Sequence, residues 1–180
     1  MNALIFLITT IGSLYLTVVL LRLWLQLTRA DFYNPISQFV VKATQPIVGP
    51  LRRAIPSLGS LDTATLLFAY IIATAMVAFM IVLRVGEFPV LIVLLQGLFK
   101  LISQIYWIVF VVLIIHVILS WVGQGNNPVE YVIHQLTDPI IRPVRKIIPP
   151  IGGLDLSILI ILIALQFFRL LINDFFGPVI

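Results

Sequence analysis

The sequence predicts an all-α polytopic membrane protein with four transmembrane helices in two parallel tandem repeats. Each repeat carries an amphipathic interfacial helix and a proline-rich basic loop. Three observations predict this class. Of 180 residues, 61% are hydrophobic and only 10% are charged, against about 25% charged in an ordinary soluble domain. Long uncharged runs recur along the chain, and one stretch, residues 34–62, returns at 127–155.

The repeated stretch reads NPISQFVVKATQPIVGPLRRAIPSLGSLD and then NPVEYVIHQLTDPIIRPVRKIIPPIGGLD, with a constant offset of 93 residues and no gap. A gapless match of this length indicates duplication, and its period is too long for a solenoid. The shared positions include Asn34, Pro35, Pro46, Pro50, Pro56, Gly59 and Asp62 in the first copy, and Asn127, Pro128, Pro139, Pro143, Pro149, Gly152 and Asp155 in the second.

Composition excludes several function classes. A soluble protein of this size could not bury so much apolar side chain. The net charge of +4 is not a dense basic tract, because most Lys and Arg residues flank apolar runs, where they set membrane topology. We therefore expect no contact with nucleic acid. The chain has no Cys, so it has no disulfide and no thiolate metal site.

The duplication divides the chain into a first unit, residues 1–86, and a second unit, residues 87–180. The first unit is predicted to contain a span at 3–27, a loop at 28–61 and a span at 62–84. The second is predicted to contain a span at 97–121, a loop at 122–154 and a span at 155–172, with 90–95 as a lead-in and 173–180 as a tail. An uncharged helix over 3–21 is about 28 Å long, close to the hydrocarbon thickness. Because no basic segment precedes it, we interpret it as an uncleaved span.

Each loop is predicted to open with a short amphipathic helix. Asn34 and Asn127 are suitable N-caps, and the proline after each suits the first helical position. Apolar residues follow at helical spacing, at 36, 39, 40 and 43 and again at 129, 132, 133 and 136. One apolar stripe beside membrane spans favours a helix lying in the interface plane.

Prolines dominate the next part of each loop. Three prolines within eleven residues predict only a short helical piece between extended corners, because each removes a backbone N–H. A basic pair lies within each piece. The side chains predicted to bind lipid headgroups or partner proteins are Arg52, Arg53, Arg142, Arg145 and Lys146.

A glycine and an aspartate end each loop. Gly59 and Gly152 permit a sharp corner, and Asp62 and Asp155 are suitable N-caps for the spans that follow. An ion pair with Arg52 or Arg145, or contact with a cation, is the alternative role for each carboxylate.

Charge predicts the orientation. Two crossings return the chain to its starting side, so the two units insert in parallel and both loops face one side. That side carries most of the basic residues, which predicts cytoplasmic loops and both termini outside.

Polar residues within spans are functional candidates by default. His116 is the main one, and an interhelical hydrogen bond is favoured over a haem or proton-relay role. His134 lies on the second loop helix. Arg22, Lys100 and Arg169 are expected to reach headgroups by snorkelling. The sequence contains no catalytic triad, phosphate loop or zinc motif, so we expect no catalytic residue, metal or cofactor.

The run DPIIRPVRKIIPPIGGLD, residues 138–155, resembles the hallmark of the YggT family, also called YlmG. The resemblance covers the whole chain and implies a small bacterial inner-membrane protein, with relatives in chloroplasts. The first copy departs from the hallmark at Gln45 and Gly49, where the second has Asp138 and Arg142. The family resemblance implies links to envelope and division processes, nucleoid organisation and osmotic or potassium stress. For plastid relatives it implies haem attachment.

These patterns favour a non-catalytic accessory or scaffold protein in membrane-complex assembly. Its partners would be anionic lipid headgroups, unknown membrane or cytoplasmic proteins, and further copies of itself. The alternatives are an oligomeric channel in potassium transport or osmotic stress, and an enzyme or haem-handling factor that uses His116.

Overall fold

The computed structural model describes residues 2–86, 88–122, 127–148 and 155–177. These residues form six α-helices and no named β-strand. The helices are α1 (Asn2–Leu27), α2 (Pro35–Ala54), α3 (Thr63–Val85), α4 (Val90–Val122), α5 (Pro128–Arg145) and α6 (Leu156–Phe176). Four of them, α1, α3, α4 and α6, are long and apolar enough to cross a membrane. The predicted all-α class with four apolar helices is thereby confirmed.

The core lies where the apolar helices meet α2 and α5. Helix α3 packs against both α1 and α4, α2 lies on α1 and α3, and α5 lies on α4 and α6. Leu16, Ala69, Leu101 and Val132 are buried in one cluster that joins these layers. Gly97 permits the closest approach, because a Cβ there would lie 2.9 Å from the Cα of Thr74 on α3.

Helices α2 and α5 begin as the sequence predicts. The Asn34 side chain accepts a hydrogen bond from the backbone N–H of Ile36 at 2.9 Å. Asn127 accepts from the N–H of Val129, also at 2.9 Å. In both helices proline occupies the first turn, where its missing N–H has no partner to lose.

The prediction of only a short helical piece in each loop was wrong. Helix α2 runs through Pro46 and Pro50, and α5 runs through Pro139 and Pro143. Both prolines of α2 are exposed, whereas Thr44 and Val48 are buried. Each proline lies two residues, or about 200°, from a buried position.

The lost hydrogen bonds therefore fall on the outer face of the helix, where the freed carbonyls can be solvated. The buried face keeps its packing, and burying one Val stabilises the helix by about 1.5–3 kcal/mol. This offsets much of the roughly 3 kcal/mol that an internal proline costs.

A tight corner joins α2 to α3. Ile55 leaves the helix in extended conformation. The backbones of Leu58 and Leu61 then exchange two hydrogen bonds of 3.1 and 3.0 Å. Gly59 between them has φ of +61°, a conformation that costs other residues about 1–2 kcal/mol. The predicted corner is confirmed at Gly59. The corresponding Pro149 and Gly152 lie outside the described residues.

Two predicted ends differ from the structure. The lead-in 90–95 belongs to α4, so this helix is longer than the predicted span 97–121. A single Gly97 costs a helix about 1 kcal/mol and does not interrupt an apolar run of this length. Helix α6 likewise continues to Phe176, past the predicted end at residue 172.

Candidate functional site

The corner after α2 is held by an ion pair between Arg52 and Asp62. The Nε of Arg52 donates to Oδ2 of Asp62 at 2.8 Å, and its Nη2 donates to the same oxygen and to Gln26 Oε1. The Asp62 side chain is only 1% exposed. Its other oxygen accepts from the backbone N–H of Thr65 at 3.2 Å and caps α3. Capping and ion pairing, predicted as alternatives, occur together.

Residues at the offset of 93 form the same arrangement. The Nε of Arg145 donates to Oδ2 of Asp155 at 3.1 Å. The second oxygen of Asp155 accepts from the N–H of Ser157 at 3.1 Å and caps α6. Here the carboxylate is 13% exposed, so the second pair is nearer to solvent than the first.

Both carboxyl groups have a lowered pKa. Burial acts to raise the pKa of Asp62, but hydrogen bonds from Arg52 and Thr65 outweigh it. For Asp155, burial is again opposed by hydrogen bonds from Arg145 and Ser157. Each aspartate therefore stays ionised at neutral pH and keeps its arginine in place.

The five basic residues that were predicted to bind headgroups or partner proteins differ in what they are free to bind. Arg52 and Arg145 are engaged by the two aspartates. Arg142 pairs with Asp138 at 2.9 Å, although its side chain is 72% exposed. Arg53 and Lys146, the next residues after the two paired arginines, are exposed. Among the described ion pairs neither of them takes part.

Arg22 joins α1 to α2 in a way the sequence did not predict. It is 4% exposed, so it does not snorkel to headgroups as expected. Its guanidinium donates to Thr44 Oγ1 at 2.8 Å and to Gln45 Oε1 at 2.7 Å. The Thr44 hydroxyl in turn donates to the carbonyl of Val40 at 2.7 Å.

His116 makes the corresponding contact in the second unit. Its Nδ1 lies 2.7 Å from Thr137 Oγ1, and the Thr137 hydroxyl donates to the carbonyl of Ile133 at 2.8 Å. With the Thr137 hydroxyl hydrogen assigned to the Ile133 carbonyl, His116 is assigned as the donor in this contact, with its proton on Nδ1. The predicted interhelical hydrogen bond of His116 is confirmed.

These contacts explain why the two copies differ at two positions. Gln45 accepts from Arg22 in the first copy, and its counterpart Asp138 pairs with Arg142 one turn later in the second. The counterpart of Arg142 is Gly49, which has no side chain to pair. The two replacements, Gln45 by Asp138 and Gly49 by Arg142, therefore leave each of these polar side chains with a hydrogen-bond or ion-pair partner.

Two further pairs of polar side chains join the long apolar helices. Gln104 donates to Thr17 across α4 and α1 at 3.0 Å, and Tyr106 donates to Gln166 across α4 and α6 at 2.7 Å. His116 and His134 lie with ring centroids 4.4 Å apart. No group of three or more His, Cys, Asp or Glu side chains that could hold a metal occurs within the described ranges.

The four long apolar helices indicate a membrane protein, and ion pairs and hydrogen bonds hold these helices to the basic corner segments. The CCB3/YggT family model matches residues 1–83 and 95–176, and the chain belongs to this family.

Its relatives match over nearly their whole length. An uncharacterized protein of Vibrio alginolyticus, described by its position in the proC 3' region, is 52% identical and covers 99% of this chain and 98% of its own. The uncharacterized protein YggT of Escherichia coli K12 is 48% identical, covering 92% of this chain and 86% of its own. An uncharacterized protein of Pseudomonas aeruginosa is 43% identical, with 95% and 88% covered. No solved structure matches the chain.

Proposed function

We propose that this protein is a non-catalytic accessory protein of the bacterial inner membrane. Its two basic corners hold anionic headgroups and partner proteins at the cytoplasmic surface during envelope, division or membrane-complex assembly. The observation that carries the proposal is the same arrangement at both corners. An Arg–Asp pair fixes the backbone, and the next residue, Arg53 or Lys146, presents a free cation.

Orientation follows from the order of the helices. If α1, α3, α4 and α6 each cross the bilayer, the segments with α2 and α5 lie on one side, and the units are parallel repeats. That side carries most of the basic residues of the chain, which places it in the cytoplasm. Both termini then lie outside. The basic residues on the proposed cytoplasmic side are Arg29, Lys42, Arg52, Arg53, Arg142, Arg145 and Lys146.

Exposed aromatic residues support an interfacial position for α2 and α5. Tyr33 and Phe39 are 88% and 64% exposed near the start of α2, and Tyr131 is 55% exposed on α5. Trp121, at the end of α4, is 70% exposed. Tyr and Trp are enriched at the headgroup level. The opposite faces of both helices pack on the spans, so α2 and α5 would lie along the surface.

Electrostatics at this surface favour anionic lipid. A basic residue near an anionic leaflet contributes about 1 kcal/mol. Arg52 and Arg145 are ion-paired, so most of this attraction would come from Arg53 and Lys146, with Arg142 adding part of its charge. The pairs with Asp62 and Asp155 hold the backbone that carries these cations.

Three pairs of polar side chains that bond to each other support this function over an ion path. Thr17 and Gln104, Tyr106 and Gln166, and His116 and Thr137 are bonded to each other. Conduction requires polar groups that can exchange partners with a passing ion.

The test is complementation of a strain that lacks its own YggT protein, under a condition where that loss impairs growth. Arg53→Gln combined with Lys146→Gln should fail to restore growth while inserting at the normal level. Arg84→Gln removes an exposed cation from the other end of α3 and should restore growth fully. Full complementation by the double variant would overturn the proposal.

A further inference from the structure

A membrane-facing slot lies between α4 and α6, beside the second Arg–Asp pair. Its volume is about 380 Å³, within the range of small-ligand pockets. Val117 and Ile118 of α4 form one wall, and Ile158 and Leu162 of α6 form the other. Both walls of the slot are therefore apolar.

The rim of the slot is polar and lies at one end only. Ser120 and Trp121 line it from α4, and Asp155 lines it from the start of α6. Arg145 is bound to Asp155, and Lys146 follows it as an exposed cation. The Ser hydroxyl, the Trp indole N–H and the two cations are all donors. Asp155 balances the charge of Arg145, so the excess positive charge beside this end of the slot is that of Lys146, the next residue along the chain.

At the equivalent position the first copy is filled by its own packing. Leu25, the counterpart of Ile118, is 1% exposed, whereas Ile118 is 53% exposed. Leu25 packs in the core, and Ala30 donates back to its carbonyl at 2.9 Å. Gln26 also bonds to Arg52 at this level, whereas its counterpart in the second copy is the apolar Leu119. The duplicated halves therefore differ in the feature that would admit a ligand.

We propose that this slot binds one anionic phospholipid, with an acyl chain between α4 and α6 and the phosphate at the Arg145–Lys146 rim. Apolar walls that end in donors and net positive charge complement a phosphodiester joined to a hydrocarbon chain. Asp155 caps α6 and Trp121 lies in the last turn of α4, so the rim lies where headgroups lie. This inference deepens the proposed function and rests on its placement of the corners at the membrane surface.

The test measures quenching of Trp121 by lipids brominated on their acyl chains. Trp24→Phe with Trp107→Phe leaves Trp121 as the one Trp of the three in the chain. This protein is placed in phosphatidylcholine vesicles containing brominated phosphatidylglycerol or brominated phosphatidylcholine. We expect half-maximal quenching at an about fivefold lower mole fraction of the glycerol lipid. Equal quenching by the two lipids would overturn the proposal.

Variants that fill the slot with larger side chains test whether the lipid preference arises there. Ile118→Phe with Leu159→Phe should abolish the preference, because both side chains line the slot. Ile102→Phe with Ile163→Phe are matched controls on the exposed surfaces of α4 and α6 and should keep it. Lys146→Gln should reduce the preference towards one, and Arg84→Gln, which removes an exposed cation at the other end of α3, should not. An unchanged preference in the filled-slot variant overturns the assignment.

Two further measurements keep the test decisive. If the Trp replacements prevent folding, the unmodified chain is delipidated, exposed to phosphatidylglycerol and examined by native mass spectrometry for a single bound lipid. Absence of that adduct overturns the proposal. Disulfide dimers of Leu159→Cys in membranes would assign the slot to a second copy instead and also overturn it. Failure of any of these leaves the complementation result for Arg53 and Lys146 unaffected, so the two proposals can fail separately.

Discussion

Arg22 of α1 donates a hydrogen bond of 2.8 Å to Thr44 of α2, and this contact ties a candidate span to the helix that follows it. In the second half of the chain His116 and Thr137 make the same contact at 2.7 Å. Each Thr hydroxyl also donates to a carbonyl one turn earlier. In both copies the Thr hydroxyl oxygen is the acceptor, whereas the donor is a guanidinium in the first copy and an imidazole in the second.

Replacing Arg22 with Met should lower the stability of the folded protein. Thr44 and Gln45 would lose their buried donor, which costs about 1–3 kcal/mol. Thermal unfolding in detergent, followed by circular dichroism, measures the loss. Arg84→Met, which removes an exposed cation, is the control and should unfold with the wild type. A double-mutant cycle with Thr44→Val should show coupling, and simple additivity would contradict the assigned contact.

The two Arg–Asp pairs should differ in energy. Arg52→Met leaves Asp62 buried at 1% exposure, whereas Arg145→Met leaves Asp155 at 13%. An uncompensated buried carboxylate is destabilising, and solvent reduces the penalty. We expect Arg52→Met to lower the unfolding temperature more than Arg145→Met under identical detergent conditions. The reverse order would contradict the burial argument.

Acid should weaken both corners. The folded-state pKa of Asp62 and of Asp155 is lowered from the ordinary value of 3.8, so ionisation favours the folded state. The resulting stability is fully present above pH 3.8 and is lost as the pH falls through the folded-state pKa. Asp62→Asn should be less stable at pH 7 and should lose less stability than the wild type on acidification. Parallel pH profiles for the two proteins would refute this linkage.

The internal prolines should be dispensable for helix α2. Pro46→Ala and Pro50→Ala each restore a backbone donor within a continuous helix, and alanine has the higher helix propensity. We expect equal or greater thermal stability and no loss of helical signal in circular dichroism. Pro35→Ala, at the first helical position, is the control and should have little effect. A loss of helix in either internal variant would show that the prolines hold a bend that α2 requires.

Single cysteines should report the orientation, because the natural chain has none. Arg84→Cys should react with a membrane-impermeant thiol reagent in whole cells with a permeable outer membrane. Arg53→Cys should react only after the inner membrane is opened. Labelling at position 53 in intact cells would reverse the proposed topology, and equal labelling of both positions before opening would invalidate the parallel arrangement.

Local rules predicted the helix starts well and the prolines badly. Asn34, Asn127, Asp62 and Asp155 cap helices because a cap depends on neighbouring backbone N–H groups alone. The prediction for Pro46 was wrong because it considered only that proline removes a backbone hydrogen bond. It did not consider on which face of the helix that bond is lost. The relevant signal was present in the sequence, since the prolines follow Thr44 and Val48 by two residues each.

Arg22 was missed for a different reason. Arg22 lies near the end of a predicted span, which suggested that it snorkels to the headgroups. Its side chain instead bonds to Thr44, whose position depends on how α2 folds back against α1. The internal comparison could have indicated it. Arg22 lies next to the position equivalent to His116, and Thr44 is equivalent to Thr137. The slot beside Ile118 depends on packing between α4 and α6, which no local pattern encodes.

Helix α4 has 33 residues, so it is about 50 Å long, whereas the hydrocarbon core of a bilayer is about 30 Å thick. Its first six residues are as apolar as the rest, so their exposure to water is unfavourable. If α4 crosses the bilayer, the helix must therefore tilt, or the bilayer must thicken around it. Its inclination would then change with membrane thickness, and α3, which packs along it, would be carried with it.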